Sequence, residues 1–184
     1  VERVELPLPI PFRFARAAAF SPDGRWLVTT RQPGMGIWVW ALRGWRRERI
    51  IDEESGTAIA FSPDSQRFAV ASGRGVHVLD RDSGARLISL QGHSGDVTSL
   101  VFQGERSQGA APGAHSGARL ATSGLDRTAR LWSAEDPFLL RVWADARRVS
   151  LSGDGQRAGL LRYGRPQEVV VEALERRAGR GLDA

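Results

Sequence analysis

One phrase occurs twice in this chain. "AAFSPDGRWLV" occupies residues 18–28, and "IAFSPDSQRFAV" occupies residues 59–70. Phe20 and Phe61 are 41 residues apart, and a further 41 residues lead to Phe102. A catalytic motif is normally needed once, whereas a phrase that returns at a fixed spacing is typical of a structural unit built repeatedly. This repeat constrains the fold more than any other feature of the sequence.

Each copy of the repeat predicts four short strands. A strand ends in Phe, a turn such as "SPDG" follows, and a second apolar strand starts at residue 25 or 67. Pro presets φ for the turn, and Asp followed by Gly suits its tight bend. Third and fourth strands follow as "GIWVWAL" and "RRERIID" in the first copy and as "GVHVLD" and "ARLISLQ" in the second. No helical periodicity separates them, which disfavours an alternating βαβ fold.

The third and fourth copies depart from this pattern. Phe102 and Leu120 are 18 residues apart where the first two copies have seven, so 11 residues are inserted. The segment 103–118 is rich in Gly, Ala and Ser and predicts a flexible loop. In the fourth copy, at 147–164, Leu151 stands where Phe stood. The period remains 38–41 residues once the insertion is removed.

Four-stranded units at this period predict the blades of an all-β propeller. One such sheet buries too little apolar surface alone, so the faces of neighbouring sheets must stack. We expect about four blades in an open arc that is part of a larger propeller, and a closed four-blade ring is the alternative. The expected propeller segment is 1–174, with blade units at about 12–52, 53–91, 92–142 and 143–174, a leftover outer strand at 1–8, the loop insertion at 103–118 and a C-terminal tail at 175–184.

The basic charge of the chain invites a nucleic-acid interpretation that we disfavour. The net charge is +5, and all 26 basic residues are Arg, with no Lys and no Asn. The absence of both indicates the coding bias of a GC-rich genome. The densest basic cluster, "RGWRRER" at 43–49, could stack on and neutralise a nucleic acid. A solvated strand end or loop is the interpretation that we favour for it.

Composition also excludes several kinds of site. The chain has no Cys, which excludes disulfides, thiolate metal sites and a Cys nucleophile. No stretch approaches the roughly 18–20 apolar residues of a membrane span. His77 and His115 fall in a strand and a loop, and three scattered histidines predict no metal site. We predict no metal and no cofactor.

Residues 90–132 carry the most specific pattern. They read "LQGHSGDVTSLVF", then the insertion, then "RLATSGLDRTARLW". This blade resembles the WD40 repeat, and the resemblance extends over essentially the whole chain, although only this blade has every signature. The matching residues are the Gly92-His93 pair, Thr122 in the second strand, Asp126 in the following turn and Trp132 at the end of the third strand. The resemblance implies that His93, Thr122, Asp126 and Trp132 form a buried, structural hydrogen-bond network.

A hydrolase triad of His93, Thr122 and Asp126 is the alternative interpretation. It would need a nucleophile, a base and an orienting acid in line and opening onto a pocket. The structural interpretation also explains Trp132, whose indole N–H needs a partner when buried. We therefore predict no catalytic residue. In the other copies Pro33, Arg74 and Gly164 replace the Asp, so we expect those blades to be held by packing.

The resemblance also implies a function. WD40-like propellers act as rigid platforms that bind proteins or peptides, and the chain shows no paired carboxylates in a repeated context and no phosphate-cradling glycine loop. We predict a cytoplasmic protein-interaction scaffold, not an enzyme, within a larger bacterial regulatory or signalling protein. The alternatives are an enzyme or small-ligand propeller with a central-channel pocket, and a structural module holding neighbouring domains. A channel ringed by titratable residues would favour the enzyme, and a flat, partly apolar face the platform.

The resemblance also implies that partners contact the face formed by the loops that enter each first strand and those that join each second strand to the third. Ordinary loop surface is the alternative for any one of its residues. The predicted partner-binding residues are Phe14, Arg16, Gln32, Ser55, Thr57, Gly73, Asp96, Thr98, Leu125, Asp145, Arg147 and Tyr163.

Overall fold

In a computed structural model the chain folds into consecutive antiparallel sheets. The structure describes residues 16–30, 36–44, 46–51, 56–103, 118–153, 156–164 and 168–174. These residues form strands and turns and include no helix. The leftover strand predicted at 1–8, residues 104–117 of the insertion and the tail at 175–184 lie outside them.

Four sheets follow one another along the chain, and each is one blade. The first blade has β1 (Ala17–Phe20), β2 (Trp26–Thr30), β3 (Ile37–Ala41) and β4 (Arg46–Ile51). The second has β5 (Ala58–Phe61), β6 (Arg67–Ser72), β7 (Gly75–Asp80) and β8 (Arg86–Leu90). The third has β9 (Val97–Gln103), β10 (Arg119–Gly124), β11 (Ala129–Ser133) and β12 (Leu139–Trp143). The fourth has three described strands, β13 (Ala146–Leu151), β14 (Arg157–Arg162) and β15 (Val169–Ala173).

The repeated Ser-Pro-Asp phrase builds the turn between the first two strands. In the second blade the Ser62 hydroxyl donates to Asp64 Oδ1 and accepts the Arg67 N–H at 2.9 Å. The first blade has the same two bonds, from its own Ser and Asp. Ser65, at φ 63°, accepts the Asp23 N–H at 3.1 Å, which links the two turns across neighbouring blades. The phrase recurs because each turn needs the same donors and acceptors.

The hydrophobic core lies between the sheets. One apolar cluster joins the first and second blades around Val28, Val39 and Phe68. A second, which includes Leu120 and Trp132, joins the second and third blades. A third cluster joins the third and fourth blades. The fold is therefore an all-β propeller arrangement in which each sheet gains its core from its neighbours, as the repeat predicted.

The described blades form an open arc. Strand contacts between different sheets join the first blade to the second, the second to the third and the third to the fourth. None of the substantial contacts among the described strands joins the fourth blade back to the first. On the far face of the fourth blade, Val169 is 70% and Val171 63% exposed. Their register equivalents in the second blade, Val76 and Val78, are buried against the third blade. The face of the fourth blade that would receive a further sheet is therefore exposed.

Candidate partner-binding face and the buried network beneath it

A chain of hydrogen bonds crosses the third blade. The Trp132 indole N–H donates to Thr122 Oγ1 at 3.0 Å. The Thr122 hydroxyl in turn lies 2.9 Å from His93 Nε2, and His93 Nδ1 lies 2.9 Å from Asp126 Oδ2. The ionised Asp126 carboxylate can only accept, so His93 Nδ1 carries the proton, and because burial lowers the pKa of His93 the ring is neutral and Nε2 accepts the Thr122 hydroxyl proton. The structure thus brings together the four residues that the resemblance named.

The Asp126 carboxylate is the most connected group in this network. It accepts the Ser94 N–H at 3.0 Å, the Thr128 N–H at 3.0 Å and the Thr128 hydroxyl at 2.9 Å, besides the imidazole N–H. Arg130 Nη2 lies 3.8 Å from it. These bonds tie the loop before β9 to the turn between β10 and β11. Thr128 was not among the residues predicted for the network, although a hydroxyl residue two positions after an Asp is a known turn signal.

The protonation states follow from burial and hydrogen bonding. Burial by itself raises the pKa of Asp126, but the hydrogen bonds from Thr128, Ser94 and His93 outweigh it and lower the pKa to about 2. Burial lowers the pKa of His93 by more than the neighbouring carboxylate raises it. At neutral pH the network therefore holds a carboxylate and a neutral imidazole.

Thr122, His93 and Asp126 are connected as the residues of a catalytic triad are, but they are not accessible to a substrate. Thr122 is fully buried, and the side chains of His93 and Asp126 are 2% and 4% exposed. The Thr122 hydroxyl is also held by the Trp132 indole. No reacting carbonyl can reach this hydroxyl, so the geometry supports a structural role.

Part of the same network is present in the first blade. The Trp40 indole N–H donates to Thr29 Oγ1 at 3.2 Å. These residues hold the register positions of Trp132 and Thr122, because Leu27 pairs with Trp40 as Leu120 pairs with Trp132. The expectation that this blade is held by packing alone is therefore wrong for this pair. The sequence contained the signal for this pair. Thr29 follows Phe20 by nine residues, the same spacing as from Phe102 to Thr122 once the 11 inserted residues are removed.

Above the network, backbone hydrogen bonds join neighbouring blades at one end of the sheets. The Val97 N–H donates to the Gly73 carbonyl at 2.7 Å, between the third and second blades. The Ala146 N–H donates to the Arg127 carbonyl at 2.9 Å, between the fourth and third blades. Both acceptors sit in the turn between second and third strands with left-handed φ values of 55° and 61°. The repeated bond fixes adjacent turns relative to one another.

The predicted partner-binding residues that the structure describes lie at this end. The Leu125 N–H donates to the Asp96 carbonyl and the Tyr163 N–H to the Asp145 carbonyl, both at 2.8 Å. Thr57 Oγ1 donates to the Val97 carbonyl at 2.8 Å. Nine predicted residues are described, and they are Arg16, Thr57, Gly73, Asp96, Thr98, Leu125, Asp145, Arg147 and Tyr163. Phe14, Gln32 and Ser55 lie outside the described residues.

Arg127 also belongs to this end and was missed by the sequence analysis. It is exposed, and its guanidinium carbon lies 5.3 Å from the centroid of the Tyr163 ring. Such a distance is that of a cation–π contact. Register assigned only Leu125 of this turn to the face, because the sequence does not specify which side chains of neighbouring turns come into contact. We call Leu125, Arg127 and Tyr163 the junction cluster.

A separate cleft lies on the fourth blade. It has a volume of about 540 Å³ and is lined by Ser150, Leu151, Ser152, Gly153, Arg157, Gly159 and Val171. Arg157 is the one charged residue among these lining residues. None of these described lining residues supplies the carboxylate, imidazole or thiol that general acid–base or nucleophilic catalysis needs.

Comparison with known proteins agrees with this architecture. The family model for the WD domain, G-beta repeat, matches residues 84–133. The solved structures of the RRP9 WD40 repeats and of U3-55K are each 15% identical, with TM-scores of 0.62. They match over 86% of this chain, which spans about half of theirs, at 50% and 51%. The computationally designed Ika4 protein is 19% identical over 95% of this chain and 100% of its own, with a TM-score of 0.69. No curated protein matches the sequence.

The fold and the network define a WD40-type β-propeller arc. The match to the WD40 repeat model covers the end of the second blade and most of the third, and the third blade carries the full set of signature residues. Proteins with this fold typically act as protein-interaction scaffolds. Among the described residues, no helix is long and apolar enough to cross a membrane, and no group of three or more His, Asp or Glu could hold a metal ion.

Proposed function

We propose that this chain is a protein-interaction scaffold that binds a protein or peptide partner through the loop end described above. The scaffold is not an enzyme, and it works in the cytoplasm within a larger bacterial regulatory or signalling protein. The observation that carries the proposal is the set of backbone hydrogen bonds that joins the turns of adjacent blades into one fixed surface. A surface fixed before binding loses little conformational freedom when a partner docks.

The exposed side chains at this end suit a protein partner. Leu125 is 64% and Tyr163 38% exposed, and Arg127 lies between the third and fourth blades. Tyr and Arg are enriched among residues that dominate binding energy at interfaces. The basic cluster at 46–49 is a poor candidate for nucleic acid. There Arg46 pairs with Glu48 at 2.9 Å, and Arg47 stacks on Trp38 at 4.7 Å.

Because the chain has no native Cys, a single introduced thiol can report which end binds. A photo-crosslinker on Leu125→Cys would label a partner at the loop end, and one on Arg43→Cys would probe the opposite end. We expect a protein from source cells to crosslink to the first variant and not to the second. The purified protein should then bind the unlabelled chain with saturable affinity. Equal crosslinking from both positions, or loss of binding only on substitution at the Arg43 end, would contradict the proposal.

A further inference from the structure

The junction cluster is held in place by the two blades that it bridges. Arg127 sits at the tip of its turn at φ 61°, and its carbonyl accepts the Ala146 N–H. The Tyr163 N–H is bonded to the Asp145 carbonyl. On the other side of the turn, the Leu125 N–H is bonded to Asp96. The backbone at Leu125, Arg127 and Tyr163 is therefore bonded to neighbouring segments before any partner arrives.

The buried network supports this turn from below. Asp126, between Leu125 and Arg127, accepts hydrogen bonds from His93, Ser94 and Thr128. Those bonds hold the two ends of the turn and leave the side chains of Leu125 and Arg127 directed to the exterior, where both are exposed. The turn that Asp126 holds by these hydrogen bonds is thus also the one that presents an apolar and a cationic side chain.

Arg127 differs from three arginines of the third and fourth blades that contact carboxylates. Arg130 lies 3.8 Å from Asp126, and Arg141 and Arg162 both contact Glu172. No carboxylate of a described residue forms an ion pair with Arg127. Its contact with Tyr163 places the guanidinium carbon over the aromatic ring, and the guanidinium carries five N–H donors. A carboxylate is the group that accepts two of these donors at once.

The described charged residues at this end do not form an extended positive surface. The exposed charged residues described at the loop end are Arg16, Arg74, Arg127 and Arg147, opposed by Asp96, Asp145 and Glu168. Four positive and three negative groups nearly cancel. A nucleic acid would need an extended positive surface to neutralise its phosphates. A short protein segment needs only one carboxylate at Arg127 and one apolar side chain against Leu125 and Tyr163.

We propose that the junction cluster of Leu125, Arg127 and Tyr163 is the anchoring site of the scaffold and takes a protein segment with an Asp or Glu next to an apolar residue. This inference rests on the proposed function and adds the site and the chemistry of the partner. The carboxylate binds Arg127, and the apolar side chain covers Leu125 and the Tyr163 ring. Tyr163 keeps the guanidinium in place by stacking, and so acts as a positioning residue for Arg127.

The test is a selection from a library of random displayed peptides on the immobilised full chain. Enriched peptides are synthesised with a fluorescent label, and their affinity is measured by anisotropy. A charge-assisted hydrogen bond corresponds to roughly tenfold to a hundredfold in affinity. We expect enriched peptides to contain Asp or Glu beside an apolar residue and to bind Arg127→Gln at least about tenfold more weakly. Replacing the peptide carboxylate by its amide should weaken binding similarly, and the two changes together should add little more.

Matched controls separate this inference from the proposed function. Arg43→Gln, on an exposed turn at the opposite end, should leave affinity unchanged, and circular dichroism should show Arg127→Gln to be folded. Peptides without acidic residues, or binding that falls with Leu125→Ala but not with Arg127→Gln, would overturn the inference and leave the proposed function standing. Failure to enrich any peptide, or binding unaffected by every substitution at the loop end, would contradict both.

Discussion

Replacing Asp126 with Ala should destabilise the protein by about 2–4 kcal/mol. The change removes the acceptor of four hydrogen bonds. The Ser94 N–H is exposed, so water replaces that bond at little cost. The His93 and Thr128 donors are shielded, and each unsatisfied buried donor costs about 1–3 kcal/mol.

The pKa of Asp126 gives a second, independent value for the free energy that this carboxylate contributes to folding. A carboxyl whose pKa falls from 3.8 to about 2 on folding is stabilised as the anion by about 2 kcal/mol. This value counts only the preference for the charged form over the neutral one. The neutral acid also occupies space and accepts hydrogen bonds, which Ala cannot do. The loss on truncation should therefore be at least as large.

Urea unfolding followed by circular dichroism measures the effect. With a dependence on urea of about 2 kcal/mol per molar, the midpoint should fall by about 1–2 M. Asp96→Ala is the matched control, because the exposed Asp96 contributes only its backbone carbonyl to the same turn. It should change stability by less than about 0.5 kcal/mol. Equal midpoints for the wild type and Asp126→Ala would show that the network is not needed for the fold.

Three further predictions follow from the same contacts. Stability should fall as pH drops below about 6.5, because the pKa of His93 is lowered in the folded state and the unfolded chain takes up the proton first. It should fall again between about pH 4 and 2, where Asp126 becomes protonated. When the urea midpoint is measured against pH, the second of these decreases should be missing in Asp126→Ala. Thr29→Val should cost about 1–3 kcal/mol, since it leaves the buried Trp40 indole without its acceptor; an unchanged unfolding midpoint would mean that this bond is dispensable. Shortening the 103–118 insertion by 11 residues should barely alter the thermal midpoint, because closure entropy depends weakly on loop length; a variant that does not fold would identify the insertion as packed structure.

The sequence alone determined the repeat unit and its internal order. The order of four strands within each unit could be predicted because turn chemistry and strand periodicity are local properties. Ser62, Asp64 and Arg67 form their bonds within six residues, so the phrase itself specifies the turn. The stacking of sheets also followed from the sequence, because one short sheet cannot bury its own apolar face.

The buried network could be predicted only from the resemblance to the WD40 repeat. His93 and Thr122 are 29 residues apart, and nothing local predicts that an imidazole will meet that hydroxyl. The resemblance identified the complete network in the third blade but not the partial network in the first blade. Thr29 and Trp40 carry the same indole-to-hydroxyl bond without a His or an Asp, so a search for the whole signature passed over them.

The contact between Arg127 and Tyr163 in the junction cluster was decided by tertiary structure alone. Arg127 and Tyr163 come from different blades, and their contact depends on how one twisted sheet packs on the next. The Ala146 to Arg127 backbone bond that fixes their turns is likewise set by the relative placement of two sheets. A repeat pattern specifies each blade and the apolar face that it buries. The angle and offset between blades arise from the packing of many side chains at once, and these decide which loop residues become neighbours.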